Sequence, residues 1–195
     1  MNKKIISMIL IITCACLLSQ ENTQKFRISF DFGYFGSSYH TASNGGTFLS
    51  GGFGYKMNED FWLNLTLVKI SATGNFEKNQ LFLNHQIQYS NTIIAPNFSK
   101  DWSLSEKLIL GGALGGVLIF ETSYEPYFHT DENGGFIGIS MESDIDKLDI
   151  GLYGELYLKH ELGSQISLIL NLKSYLPLYL ELESFMIGAG IEIKI

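Results

Sequence analysis

From Phe26 onward, apolar and polar residues alternate one for one along almost the whole chain. A period of two marks strands with one apolar face and does not suit the 3.6-residue period of a helix. In KFRISFDFGY, Phe26, Ile28, Phe30, Phe32 and Tyr34 take one side, with Arg27, Ser29, Asp31 and Gly33 on the other. A second run sets Leu49, Gly51, Phe53, Tyr55 and Met57 against Ser50, Gly52, Gly54 and Lys56. After the turn signal Asn58-Glu59-Asp60, FWLNLTL sets Phe61, Leu63, Leu65 and Leu67 against Trp62, Asn64 and Thr66. The fourth run, Leu81 to Lys100, is less regular, and Pro96 inside it predicts a local defect in pairing. The fifth places Leu108, Leu110, Gly112, Leu114, Gly116, Leu118 and Phe120 together, although Ile109, Val117 and Ile119 make its other face apolar as well. In the sixth, KLDIGLYGELYLKH, Leu148, Ile150, Leu152, Leu156 and Leu158 oppose Lys147, Asp149, Tyr153, Glu155, Tyr157 and Lys159. The seventh opposes Ile166, Leu168, Leu170 and Leu172 to Ser167, Asn171 and Lys173. The eighth, MIGAGIEIKI, opposes Ile187, Ala189, Ile191, Ile193 and Ile195 to Met186, Gly188, Gly190, Glu192 and Lys194.

The connections between these eight strands alternate in length. Short links fall at Asn58–Asp60, Trp102–Glu106 and Leu162–Gln165; long ones fall at Ser37–Gly46, Ala72–Asn79, Glu121–Asp146 and Leu176–Glu183. All short turns at one end and all long loops at the other is the pattern of an all-β, eight-stranded antiparallel up-and-down transmembrane β-barrel. The strands also reach the roughly 9–11 residues that cross a bilayer at a tilt. Alternation by itself also suits a soluble secreted barrel with an apolar cavity, which would turn its apolar face inward. Three features favour apolar-out: a glycine-, serine- and tyrosine-rich polar face carrying both signs of charge; aromatics such as Phe26, Tyr55, Phe61 and Phe98 near the short turns; and a last strand with no helix after it.

At 195 residues the chain suits one domain. Lys3 and Lys4, the apolar run Ile5–Leu18 and the polar SQEN read as a secretory signal peptide over residues 1–20, leaving 21–195 for the barrel. The apolar run falls short of the roughly 20 residues of a membrane-spanning helix. Both cysteines, Cys14 and Cys16, lie within it, so the exported part holds no thiol or Cys-ligated metal; acylation of Cys16 is an alternative fate for the leader. Removing Lys3 and Lys4 from 13 basic residues leaves 11 against 20 acidic, a net charge of −9 that excludes a nucleic-acid footprint.

The chain resembles the small eight-stranded outer-membrane β-barrels of Gram-negative bacteria, of the OmpX and OmpA-barrel type. The resemblance spans the exported chain as a pattern, and its most specific part is the last strand, where Gly190, Ile193 and Ile195 match the spacing of the family's terminal assembly signal. Gly188 stands where that signal carries a polar residue, and Ile195 where it carries phenylalanine. The resemblance implies an outer-membrane location among membrane lipids. It also implies recognition by the outer-membrane assembly machinery and closure of the last strand against the first.

Eight strands leave an interior that side chains fill. The polar network expected there consists of Arg27, Asp31, Lys56, Glu155, Lys159, Lys173, Glu192 and Lys194, with Arg27–Asp31 and Lys159 to Glu155 or Glu192 as partners. Buried charges must be paired, so this reads as a structural plug in preference to a pore. Among the long links, His40 lies near Ser37, Ser38 and Ser43, and His129 lies near Asp131 and Glu132. Those two histidines are the weak catalytic candidates of a lipid-modifying reading, although no spacing enforces a nucleophile–base contact. Gly111–Gly116 has small-xxx-small spacing in a run too short for a membrane helix and reads as strand glycines. The Glu121–Asp146 link carries seven carboxylates and no lysine or arginine, with Tyr124, Tyr127, Phe128, Asp131 and Glu132 among its residues. Asn133-Gly134-Gly135 is a hairpin turn signal, so strands five and six are expected to run on as a ribbon that could take a protein partner. Its carboxylates match no known cation-binding loop. The reading is a monomeric, non-enzymatic outer-membrane barrel without cofactor, acting at the cell surface through its loops.

Overall fold

The computed structural model describes residues 25–39, 42–77, 84–132, 135–178 and 183–195. Among them eight strands follow in order: β1 (Phe26–Tyr39), β2 (Ala42–Lys56), β3 (Phe61–Glu77), β4 (Asn84–Ser103), β5 (Leu108–Thr130), β6 (Phe136–Glu161), β7 (Ile166–Pro177) and β8 (Glu183–Lys194). Each pairs antiparallel with its successor, and β8 pairs with β1, so the sheet closes into a barrel. At the seam Phe26 and Ile195 exchange backbone hydrogen bonds of 3.1 and 2.8 Å. Crossing the ladders from Arg27 leads through Gly54, Asn64, Asn97, Gly115, Tyr153, Tyr175 and Ser184 to Ser37, ten residues further along β1. A closed wall staggered in this way tilts its strands by about 35–45°.

The apolar face points out. Phe32, Leu49, Phe98, Leu114, Leu152, Leu156, Leu170 and Ile187 are all at least half exposed, and β7 alternates exposed and buried along its length. An apolar surface this continuous is unsuited to water and suited to lipid, which excludes the soluble-cavity alternative. On the short-turn side the belt ends in Phe26, Tyr55, Phe61 and Trp102. On the other side outward positions turn polar at Thr47, Lys69, Ser71, Thr92 and Thr122.

The strands outrun the sequence expectation. Much of Ser37–Gly46 and Ala72–Asn79, expected as loops, continues the ladders of β1, β2 and β3. Above the belt the outward face meets water instead of lipid, so alternation fades while backbone pairing continues. Trp102, expected in a turn, belongs to β4, and the turn falls at 104–107. At Pro96 the pairing with β5 passes from Ile94–Leu118 to Asn97–Gly115 with the register kept and the rungs between interrupted. A missing backbone donor accounts for that gap. The leader, with Cys14 and Cys16, lies outside the described residues, as do His40, Asn133 and Gly134.

Candidate functional site

On β1, β3 and β4 the inward positions run from charged and amide side chains near the short turns to apolar ones above. On β1 the order is Arg27, Asp31, Phe35; on β3 it is Asn64, Thr66, Val68, Ile70; on β4 it is Asp101, Ser99, Asn97, Ala95, Ile93. The result is two layers inside one barrel.

The lower layer is a web of ion pairs. Glu192 and Asp101 lie between Arg27 and Lys159: Lys159 Nζ is 2.8 Å from Glu192 Oε2 and 3.4 Å from Asp101 Oδ2, and Arg27 Nη1 is 3.5 Å and 3.4 Å from the same two oxygens. Arg27 also donates from Nε and Nη2 to Asn64 Oδ1 at 3.2 and 2.9 Å and from Nη2 to Ser99 Oγ, while its guanidinium lies 4.3 Å from the Trp62 ring centroid. Tyr157 donates its hydroxyl to Asp101, and Lys159 Nζ lies 4.6 Å from the Tyr157 ring centroid. Gly111 opposes Tyr157 across the β5–β6 ladder, and a Cβ there would collide with the phenol ring. Slightly higher, Lys173 Nζ donates to both oxygens of Asp31 at 2.7 and 2.9 Å and to Ser50 Oγ at 2.8 Å, with Glu155 at 3.9 Å. Glu155 in turn accepts from the Tyr153 hydroxyl at 2.9 Å. Buried charges persist only when paired and hydrogen-bonded in this way. A cavity of about 40 Å³ beside Arg27, Asn64 and Glu192 is too small for a continuous aqueous path.

Above this layer the lumen holds Phe35, Phe48, Val68, Ile70, Ile93, Val117, Ile119, Tyr175 and Met186, all nearly inaccessible. The inward Val117 and Ile119 of the fifth strand therefore belong to an apolar plug, whereas Ile109 pairs with Lys159 at the short-turn end. The lumen is thus polar below and apolar above. Asn91, Glu121 and Asp149 line the top of this interior.

Of the predicted network, the structure brings together Arg27, Lys159 and Glu192 around Asp101, and Asp31, Lys173 and Glu155 around Ser50 and Tyr153. The expected pairs Arg27–Asp31 and Lys159–Glu155 do not form: residues four apart on one strand are about 13 Å apart along it, and the partners come from other strands. Lys194 pairs instead with Glu161 near the short-turn mouth. Lys56 lies over the Trp62 ring at 5.9 Å, with no carboxylate partner among the described residues. Asp101, Asn64, Ser99 and Tyr157 were not in the predicted set. Continuing the Asn97, Ser99 alternation by one step would have found Asp101.

The closing strand places Gly190 between Asp31 of β1 and Ile169 of β7, and a Cβ there would collide with the Phe30 carbonyl oxygen. Ile193 pairs with Ile28 and Ile166. Beyond the membrane, β5 and β6 stay paired from Thr122–Asp146 to Thr130–Phe136, with register shifts at Ser123/Tyr124 and His129/Thr130. Along this ribbon Tyr124, Tyr127, Phe128 and His129 stand opposite Ser143, Ser140, Ile139 and Gly138. His129, Asp131 and Glu132 are exposed at its tip, where Asp131 accepts from the Gly135 amide. The pairing of β6 with β7 begins only at Gly151–Pro177. Among the described residues, then, β6 has no β7 partner along 136–149, apart from the Leu178 amide donating to the Ile150 carbonyl at the end of that stretch.

No protein-family model and no curated protein matches the sequence. Solved structures do match by shape. Neisserial surface protein A superimposes with a TM-score of 0.60 at 15% identity, covering 87% of this chain and 97% of that one. The attachment invasion locus protein Ail of Yersinia pestis gives 0.46 at 14%, covering 87% and 99%. The N-terminal β-barrel domain of Pseudomonas aeruginosa OprF gives 0.42 at 14%, covering 86% and 97%. At 15% identity the likeness to neisserial surface protein A is one of fold, and the lipid-facing belt supplies the independent physical evidence of a membrane location. Closed wall, filled lumen, apolar belt and shared fold together make this chain a small eight-stranded transmembrane β-barrel of the outer-membrane type.

Proposed function

We propose that this barrel is a non-enzymatic surface-interaction protein whose working element is the β5–β6 ribbon. The observation that carries the reading is the edge of β6 along 136–149, which has no β7 partner among the described residues and rises from a membrane anchor with a filled lumen. An open strand edge presents backbone donors and acceptors that an extended segment of another protein can complete by strand addition. The Glu121–Asp146 stretch brings seven carboxylates and no lysine or arginine, so the matching segment is basic and extended.

The test is hydrogen exchange of the barrel in bilayers with a synthetic peptide alternating lysine and valine. Binding by strand addition slows exchange of amides along 137–149 and leaves the belt unchanged. An acidic peptide of the same pattern gives no protection. If β6 amides exchange equally fast with and without the basic peptide, the edge is not the interaction element.

A further inference from the structure

Two glycines on the lipid side of the wall are not required by its packing. Gly112 of β5 and Gly154 of β6 face outward; a Cβ on Gly112 would rest 3.5 Å from a Leu156 methyl and 3.6 Å from the Trp102 ring, and one on Gly154 3.8 Å from Leu114. These are ordinary contacts, unlike the collisions at Gly111 and Gly190. The absent side chains open a groove of about 580 Å³ on the outside of the barrel, flanked by Phe98, Trp102, Leu114, Leu156 and Leu172. Beside its floor stands a cation. Lys100 pairs with Gly112 across the β4–β5 ladder, and its Nζ lies 5.0 Å from the Phe61 ring centroid and 5.8 Å from that of Trp102. Among the described residues no carboxylate pairs with it. Lys100 sits at the short-turn border of the belt, where a lysine stem lies along apolar surface and its ammonium reaches the head-group layer.

We propose that this groove binds an anionic glycerophospholipid of the leaflet on the short-turn side. One acyl chain lies over Gly112 and Gly154, and the phosphate sits on the Lys100 ammonium. A concave apolar floor touches a chain on several sides where a convex barrel wall touches it on one, which multiplies dispersion contacts. The charge selects the occupant. Within the belt the outward positions of the eight strands carry no carboxylate, so a second copy of this chain would bring Lys100 no anion from that surface. A phospholipid brings one at the right depth.

The two tryptophans make the test direct, because Trp62 is buried inside the barrel and Trp102 flanks the groove. The full chain is reconstituted in phosphatidylcholine bilayers containing a rising fraction of phosphatidylglycerol brominated on its acyl chains, and tryptophan quenching is recorded. Half-maximal quenching is expected at about one fifth of the brominated fraction that Lys100→Gln requires, the selectivity one interfacial lysine supplies. Gly154→Leu fills the groove and removes the saturable component, whereas Lys107→Gln, in the exposed turn, leaves the wild-type curve in place. Heat-modified gel mobility checks that each variant is folded, and Gly154→Ala serves if the leucine variant is not. Quenching that follows the bulk lipid fraction in the wild type overturns the proposal. So does selectivity that survives filling of the groove, or a cross-linked dimer lost on Gly154→Leu.

Discussion

Lys173 and Asp31 come from strands at distant points of the sequence and meet in a fully buried pair. Removing one partner strands the other charge in the lumen, a change that costs about 3–5 kcal/mol, whereas replacing both with neutral groups of similar volume is nearly neutral. Urea unfolding in detergent micelles is therefore expected to show Lys173→Met strongly destabilised and Lys173→Met with Asp31→Asn restored most of the way. Equal loss in the single and double variants would mean that packing, not charge, dominates the site. The inward orientation of these residues was legible from alternation alone. Their partners were not: alternation fixes a side of the sheet but not the angle round the barrel, and Arg27 and Asp31 share a side without sharing a neighbourhood. Asp101 escaped for a simpler reason, since the turn-like DWSLSE hid the last step of β4.

At the scale of the strand, the seam between β1 and β8 is the contact on which closure depends. Gly190 has backbone against it on the β1 side, so Gly190→Val forces the seam apart. Ile195 ends the lipid face and exchanges hydrogen bonds with Phe26. A carboxylate there must enter apolar surroundings during insertion. Both Gly190→Val and Ile195→Asp are expected to lower the amount of heat-modifiable barrel recovered from outer-membrane fractions, measured against wild type by gel mobility. Undiminished Ile195→Asp protein would remove Ile195 from any assembly role. Strand number, order and orientation were readable in the sequence because lipid and lumen impose opposite demands on successive residues. Strand ends above the belt were not, because water makes no such demand and only backbone pairing continues there.

The whole molecule sets two barriers in series along its axis, the ionic layer and the apolar plug. Planar bilayer recordings of the wild type are expected to show no unit conductance. Phe35→Ala, Phe48→Ala and Met186→Ala together are expected to stay silent, because Arg27, Lys159 and Glu192 still span the lower lumen. Adding Arg27→Ala and Glu192→Ala should give discrete steps. Steps in the wild type would make the barrel a channel.

The rim is also uneven, and this has a consequence for approach from outside. Ten residues of β5 run from Phe120, at the belt's upper border, to Thr130. At about 3.3 Å each that is about 33 Å along the strand, or about 23 Å of height at a tilt near 45°. Among the described residues the last β7–β8 rung is Tyr175–Ser184, near the level of the lipid. A macromolecule arriving at the cell would therefore meet a leaning post with a shelf at its foot. Whatever lay down along the post's open flank would be held at the barrel's own slant, with its direction relative to the membrane already chosen.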